Sequence, residues 1–67
     1  MKGTLLDFNI QLNEGAISGE DDKRYSFFGS EWKEQVAPAR GQQVDFVVNE
    51  LNQATAIYLT AYSQHSN

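Results

Sequence analysis

The sequence contains no cysteine and a single proline, Pro38, among its 67 residues. Without cysteine, neither a disulfide nor a thiolate zinc site reinforces the fold, and the chain suits a reducing compartment. No run of about 18 apolar residues is present to span a bilayer, and no apolar run of signal-peptide length follows Met1 and Lys2. We therefore expect a soluble, cytoplasmic protein that does not enter a membrane.

Basic residues are also scarce. The five Lys and Arg residues face nine Asp and Glu residues, which gives a net charge of −4. This balance argues against strong nonspecific nucleic-acid binding, because such affinity comes mostly from cations that displace condensed counterions.

Groups that carry catalysis are missing as well. His65 is the only histidine, so no histidine dyad or histidine metal cluster is available. The sequence has no nucleophile elbow, phosphate loop or dinucleotide fingerprint, and the acidic run 20–22 lacks the spacing of a calcium loop and is typical of a solvated turn. We expect no enzyme, no cofactor and no metal.

Five short runs have the composition and alternation of β-strands, with turn-forming residues between them; they cover residues 4–10, 15–18, 24–28, 42–48 and 54–59. Residues 30–33 are typical of one helical turn, with Ser30 as its N-cap and Trp32 pinning it to the sheet. The pattern predicts an all-β domain over residues 1–62, a small five-stranded antiparallel OB-fold-like barrel with one short helical turn after strand three. Residues 63–67 are expected to form a flexible C-terminal tail. An open SH3-like barrel is the alternative that strand count does not exclude.

Alternation also predicts which side chains share a face. In strand one, Leu6, Phe8 and Ile10 are expected on one face, and Leu5, Asp7 and Asn9 on the other. A barrel of this size fills its interior with alternate side chains, here Ile17, Val44, Phe46, Val48, Ile57 and Leu59.

Several short motifs occur in an order that resembles a bacterial cold-shock domain. They are Phe8-Asn9, Gly15–Ser18, Arg24–Phe28 and Gly41–Phe46, and the resemblance runs from Gly3 to about Leu59. Cold-shock domains are five-stranded OB-folds that bind single-stranded RNA or DNA. The resemblance implies that bases stack on aromatic rings and that basic side chains contact phosphates. The residues implied are Phe8, Tyr25, Phe27 and Phe28 for stacking, and Lys23, Arg24 and Lys33 for phosphates.

The chain departs from the family at other positions of that surface. Asp7 stands where the family usually has Trp, and Leu6 replaces a basic residue. Glu14 and Ala16 stand where the Lys-Gly-Phe-Gly-Phe motif places its two Phe residues. Two of these replacements are acidic and would repel a phosphate backbone.

Three functions remain open for a monomer or homodimer. The first is weak binding of single-stranded RNA or DNA through the aromatic face. The second is a protein-interaction module that turns the same face toward a protein partner. The third is a small acidic inhibitor whose carboxylates, among them Asp7, Glu14 and those of residues 20–22, replace phosphates. For Phe8, Tyr25 and Phe27, ordinary packing in the barrel is the alternative to any of these roles.

Overall fold

The computed structural model describes residues 1–60, which form one antiparallel sheet of five strands. The strands are β1 (Lys2–Asn9), β2 (Glu14–Gly19), β3 (Arg24–Phe28), β4 (Gln43–Val48) and β5 (Ala54–Leu59). They lie in the order β3-β2-β1-β4-β5. The all-β class and the five antiparallel strands predicted from sequence are confirmed, with strand boundaries that differ by one or two residues. No helix in this part of the chain is long and apolar enough to cross a membrane.

The two edge strands approach each other without forming a ladder. Within residues 1–60, an isolated parallel bridge joins Ser26 near the middle of β3 to Gln53, just before β5. A closed barrel therefore stays a prediction, while the sheet itself is established.

One hydrophobic core lies on the inner face of this sheet. Its buried members come from every strand; they are Leu5, Ile17, Tyr25, Phe27, Val44, Phe46, Ala54 and Ile57. Alternate side chains face inward in β3 and β4, whereas Ala54 and Ile57 in β5 lie three positions apart, beside a register shift against β4. The predicted interior positions Ile17, Val44, Phe46 and Ile57 are confirmed. Val48 and Leu59 are only partly buried but pack against this core.

Strand β1 does not keep the alternation that its sequence suggests. The register against β2 shifts between Leu5 and Asp7, so that a bulge interrupts the strand. A bulge inserts one residue and changes which side chains face inward beyond it. Leu5 is fully buried, and Phe8, beyond the bulge, packs against the same core, although strict alternation placed these two side chains on opposite faces. Ile10, expected beside Phe8, lies outside the strand and is 84% exposed.

The helical turn after β3 is present but begins earlier than expected. It is a 3₁₀ turn over Gly29–Glu31, preceded by Phe28 in an extended conformation with no side-chain cap. The prediction that Ser30 is the N-cap is wrong, because Ser30 lies inside the turn. The C-terminal tail proposed for residues 63–67 lies outside the residues that the structure describes.

The segment after the 3₁₀ turn covers the outer edge of β5. Trp32 forms a parallel bridge with Ile57, and the Lys33 amide donates to the Ile57 carbonyl at 2.9 Å. Two carboxylates accept further amides of β5: Glu31 Oε1 accepts from the Ala56 amide at 3.1 Å and Glu34 Oε2 from the Leu59 amide at 2.9 Å. These contacts satisfy backbone donors that an edge strand would otherwise present to other chains.

Candidate binding surfaces

Two of the four aromatic residues predicted to bind bases lie in the core. Tyr25 is 6% exposed and Phe27 is 2% exposed, and their rings pack against Phe46 and Phe8 respectively. A ring must offer a free face before a base can stack on it. As placed here neither ring does, so the stacking role predicted for Tyr25 and Phe27 is corrected to core packing.

Phe8 and Trp32 flank Phe27 in a row of three stacked rings. The ring centroids of Phe8 and Phe27 are 5.8 Å apart, and those of Phe27 and Trp32 are 6.4 Å apart. Trp32 also donates its indole N–H to the Val36 carbonyl at 2.7 Å. Both outer rings are half-buried and packed against the core. The structural role expected for Trp32 is confirmed, and Phe8 has only part of its ring available to a ligand.

The outer face of β1, β2 and β3 is built mostly from small and polar side chains. The register places Asp7 opposite Ala16 and Ala16 opposite Ser26. Strand β3 alternates exposed and buried residues, so Arg24, Ser26 and Phe28 share the exposed side. Phe28, which is 49% exposed, is thus the aromatic residue that β3 presents to solvent.

The three basic residues predicted to contact phosphates do not form one group. Lys33 Nζ donates to the Ser30 carbonyl at 3.2 Å, and Lys23 lies in the turn before β3, where its amide donates to Asp21. Arg24 alone among them lines a groove beside the outer face of the sheet. Of the predicted basic set, Arg24 is thus the residue that lines this groove.

This groove, called here the arginine groove, has a volume of about 600 Å³ and lies between the outer face of the sheet and the loop before β4. It brings together residues from β1, β3 and that loop: Leu6, Asp7, Phe8, Arg24, Pro38 and Arg40. Among residues 1–60, neither guanidinium forms an ion pair or a hydrogen bond with the protein. Sequence analysis missed Arg40, Leu6 and Pro38 as site residues, because nothing in the local pattern around Arg40 places it beside Arg24.

A second surface feature, called here the apolar tip, lies at the end of the sheet where β1 turns into β2. It consists of Ile10, Leu12 and Phe28; Leu12 is 65% exposed. Asn9 Oδ1 accepts the Leu12 amide at 3.0 Å, and the Gly29 amide donates to the Asn13 carbonyl at 2.8 Å. The last of these bonds ties the turn to the end of β3, so the three apolar side chains lie at the same end of the sheet.

The outer face of β4 and β5 carries a shallower depression of about 410 Å³, lined by Met1, Asp45, Phe46, Val47, Ala56 and Tyr58. Val47 and Tyr58 are exposed there. Asp45 supplies the charged side chain of this lining. Nothing in the chemistry of this lining specifies a ligand.

The acidic turn between β2 and β3 is organised by Asp21. Its Oδ1 accepts the Lys23 amide at 3.1 Å and its Oδ2 accepts the Tyr25 hydroxyl at 2.5 Å. The bond from Tyr25 is the main cause that lowers the pKa of Asp21, and the same bond raises the pKa of Tyr25. No group of acidic or histidine side chains within residues 1–60 has the arrangement of a metal site.

The chain matches no protein-family model, and no curated protein sequence matches it.

Proposed function

We propose that this chain is a non-enzymatic protein-interaction module whose apolar tip anchors the partner. The observation that carries the proposal is which apolar side chains are buried and which are exposed. Tyr25 and Phe27 are buried, whereas Ile10, Leu12 and Phe28 are exposed at one end of the sheet.

The tip has the properties of an interface centre. Clustered exposed apolar surface usually marks an interaction site, and interface energy concentrates in a few aromatic and apolar anchors. The hydrogen bonds of Asn9 and Asn13 hold the β1–β2 turn in place. A partner therefore loses less conformational entropy when it binds this turn than when it binds a mobile loop.

Weak binding of single-stranded RNA or DNA is the second candidate. It is favoured by the two unpaired guanidiniums of Arg24 and Arg40 in one groove, with Phe28 on the same exposed side of β3 as Arg24. The resemblance to cold-shock domains also supports it, together with five antiparallel strands and a helical turn after the third. The buried Tyr25 and Phe27 rings and the net charge of −4 weigh against it.

A pair of matched surface variants tests the proposal. Leu12→Ser with Phe28→Ser removes two of the three apolar side chains of the tip, while Val47→Ser with Leu51→Ser removes two other apolar side chains that are also about half or more exposed. Each variant and the native chain are immobilised to capture proteins from the source cell, the captured protein is purified, and its affinity for each is measured by calorimetry. We expect loss of binding for the tip variant only. Equal affinities for both variants would contradict the proposal.

Self-association is one outcome of this test, in which the partner is a second copy of the chain. Sedimentation equilibrium of the native chain measures self-association directly. A dimer that dissociates on substitution of the tip, and persists in the control variant, identifies the partner as the chain itself.

The nucleic-acid candidate is tested by titrating a labelled oligo-dT or oligo-U strand while Trp32 fluorescence is followed at low and moderate salt. The protein-interaction proposal expects no saturable binding. Binding that weakens as salt rises and on Arg24→Gln would instead favour the nucleic-acid function, because displaced counterions make phosphate contacts salt-dependent.

A further inference from the structure

The arginine groove contains charge that the protein itself leaves unpaired. Arg24 on β3 and Arg40 in the loop before β4 both line it, and neither guanidinium has an ion-pair partner within the part of the chain that the structure describes. Guanidinium groups present a planar fork of donors that matches a carboxylate or phosphate. The net charge of the chain is −4, yet two arginines line this groove and, within residues 1–60, no carboxylate is bound to either guanidinium.

We propose that the arginine groove binds a carboxylate-bearing, extended peptide segment of the protein partner. The inference rests on the proposed function, because it assigns the arginine groove as a second contact area for the partner that binds the apolar tip. Leu6, Phe8 and Pro38 give the groove apolar walls, against which the stem of an acidic side chain and the peptide backbone pack.

Asp7 favours a peptide over a nucleic acid. Its exposed carboxylate lies in the groove, and Glu14 is exposed two residues before Ala16, the β2 partner of Asp7. A nucleic acid carries a charge on every nucleotide and would bring phosphates close to these carboxylates. A peptide places its carboxylates only where its sequence has them, so the rest of its length brings no negative charge close to Asp7 and Glu14.

The spacing along β3 specifies the peptide further. Arg24 and Phe28 share the exposed side of the strand, and four residues of extended chain span about 13 Å. An extended peptide has the same rise, so an acidic residue and an apolar residue four positions apart reach Arg24 and Phe28 together. The expected ligand thus combines one or two carboxylates with an apolar side chain at that distance.

The experiment uses a peptide of sequence Glu-Glu-Thr-Ser-Thr-Leu and its counterpart with Gln in place of both Glu residues. Each is titrated into the isotopically labelled chain, and the amide and guanidinium N–H signals are followed by NMR. We expect the signals of Arg24, Arg40 and Phe28 to shift with the Glu peptide. The Gln peptide should bind about tenfold more weakly, which is the effect of losing a charge-assisted hydrogen bond.

Two double variants of equal net charge distinguish peptide binding in the groove from attraction by the overall charge of the protein. Arg24→Gln with Arg40→Gln and Lys2→Gln with Lys23→Gln both change the net charge from −4 to −6. The arginine variant should weaken the Glu peptide about tenfold or more, and the lysine variant less than about twofold, since exposed charges outside the groove are screened. Equal weakening in both variants would overturn the proposal.

The variant Asp7→Asn should change the affinity for the Glu peptide in the opposite direction to the arginine variant. Removing this carboxylate should tighten binding of the Glu peptide, while Glu50→Gln, an equal charge change in the exposed β4–β5 turn, should leave it unchanged. Weaker binding of the Glu peptide to the Asp7→Asn variant would show that the carboxylate of Asp7 does not oppose the ligand, against the proposal.

The remaining outcomes distinguish this inference from the function on which it rests. If oligo-dT shifts the Arg24 and Arg40 signals and the Glu peptide does not, the ligand of the groove is a phosphate and the peptide is excluded. If a captured partner needs Leu12 and Phe28 but binds the arginine variant normally, the groove inference fails and the protein-interaction function stands. Loss of binding with the arginine variant alone supports the groove and contradicts the tip.

Discussion

At the scale of the residue, the polar atoms of Asp21 and Tyr25 connect the acidic turn to the core. Tyr25 is a core residue whose hydroxyl reaches the surface and donates to Asp21 at 2.5 Å. A hydroxyl bound to a carboxylate is a strong, charge-assisted hydrogen bond. The pair therefore links the turn that begins β3 to the interior of the sheet, and it makes the stability of the domain depend on pH at both ends of the scale.

The pair predicts how stability varies with pH. The pKa of Asp21 is lowered from 3.8 mainly by the Tyr25 hydroxyl, so its contribution is present above that value and is lost as pH falls through the folded-state pKa. The pKa of Tyr25 is raised from 10.0 mainly by Asp21. Its contribution is present below that value and is lost as pH rises through the folded-state pKa.

Tyr25→Phe should therefore lower the urea midpoint at neutral pH. The difference from the native chain should narrow below about pH 4 and above about pH 10, near the ordinary values of Asp and Tyr. Tyr58→Phe is the matched control, because Tyr58 is exposed and its hydroxyl has no partner among residues 1–60. A Tyr25→Phe deficit that is constant from pH 3 to pH 11 would contradict the role given to this bond.

At the scale of the element, the segment from Glu31 to Glu34 completes the sheet by covering β5. Two of the nine acidic residues are used here as hydrogen-bond acceptors for strand amides. An edge strand with unpaired donors invites pairing with other chains. Two residues of the acidic composition, which in the sequence indicated only weak affinity for phosphate or an acidic binding surface, thus have a structural use at this edge.

Glu34→Ala should destabilise the domain by about 1–3 kcal/mol, because the partly buried Leu59 amide loses its acceptor. Glu34→Gln keeps an acceptor oxygen and should cost less. Glu50→Ala, at an exposed turn position, is the control and should change stability by less than about 0.5 kcal/mol. Urea unfolding measures all three, and equal midpoints for Glu34→Ala and Glu50→Ala would exclude the capping role.

At the scale of the whole molecule, one core connects every strand. Buried side chains from β1 to β5 belong to a single cluster, against which Trp32 packs. A domain of this size buries a smaller fraction of the surface of its unfolded chain than a larger domain does, about 60%, and depends on that one cluster. Its strands are therefore not expected to unfold separately.

Unfolding should accordingly be a single cooperative transition. Fluorescence of Trp32 reports on the segment that covers β5, while far-ultraviolet circular dichroism reports on the whole sheet. The two curves should coincide in urea, as they do for two-state domains. An earlier transition by fluorescence would show that the segment around Trp32 detaches before the sheet unfolds.

The sequence by itself determined the positions of the strands and half of the buried core, four of its eight residues. Period-two alternation and β-branched residues locate β2, β4 and β5, and burial of Ile17, Val44, Phe46 and Ile57 follows from that alternation. These features are local, and each depends on a few neighbouring residues. The sequence also indicated that the basic residues are few, which bounds the strength of any contact with phosphate.

Only the tertiary structure decided which aromatic residues remain exposed and which charged residues line the same groove. Strand β3 carries aromatic residues on both faces, so alternation does not say which face packs inward; contacts with Phe8 and Phe46 bury Phe27 and Tyr25 and leave Phe28 outside. The bulge in β1 changes its phase in a way that no local pattern marks. Arg24 and Arg40 line one groove because the chain between them folds back over the sheet, and such long-range proximity is a property of the packed molecule.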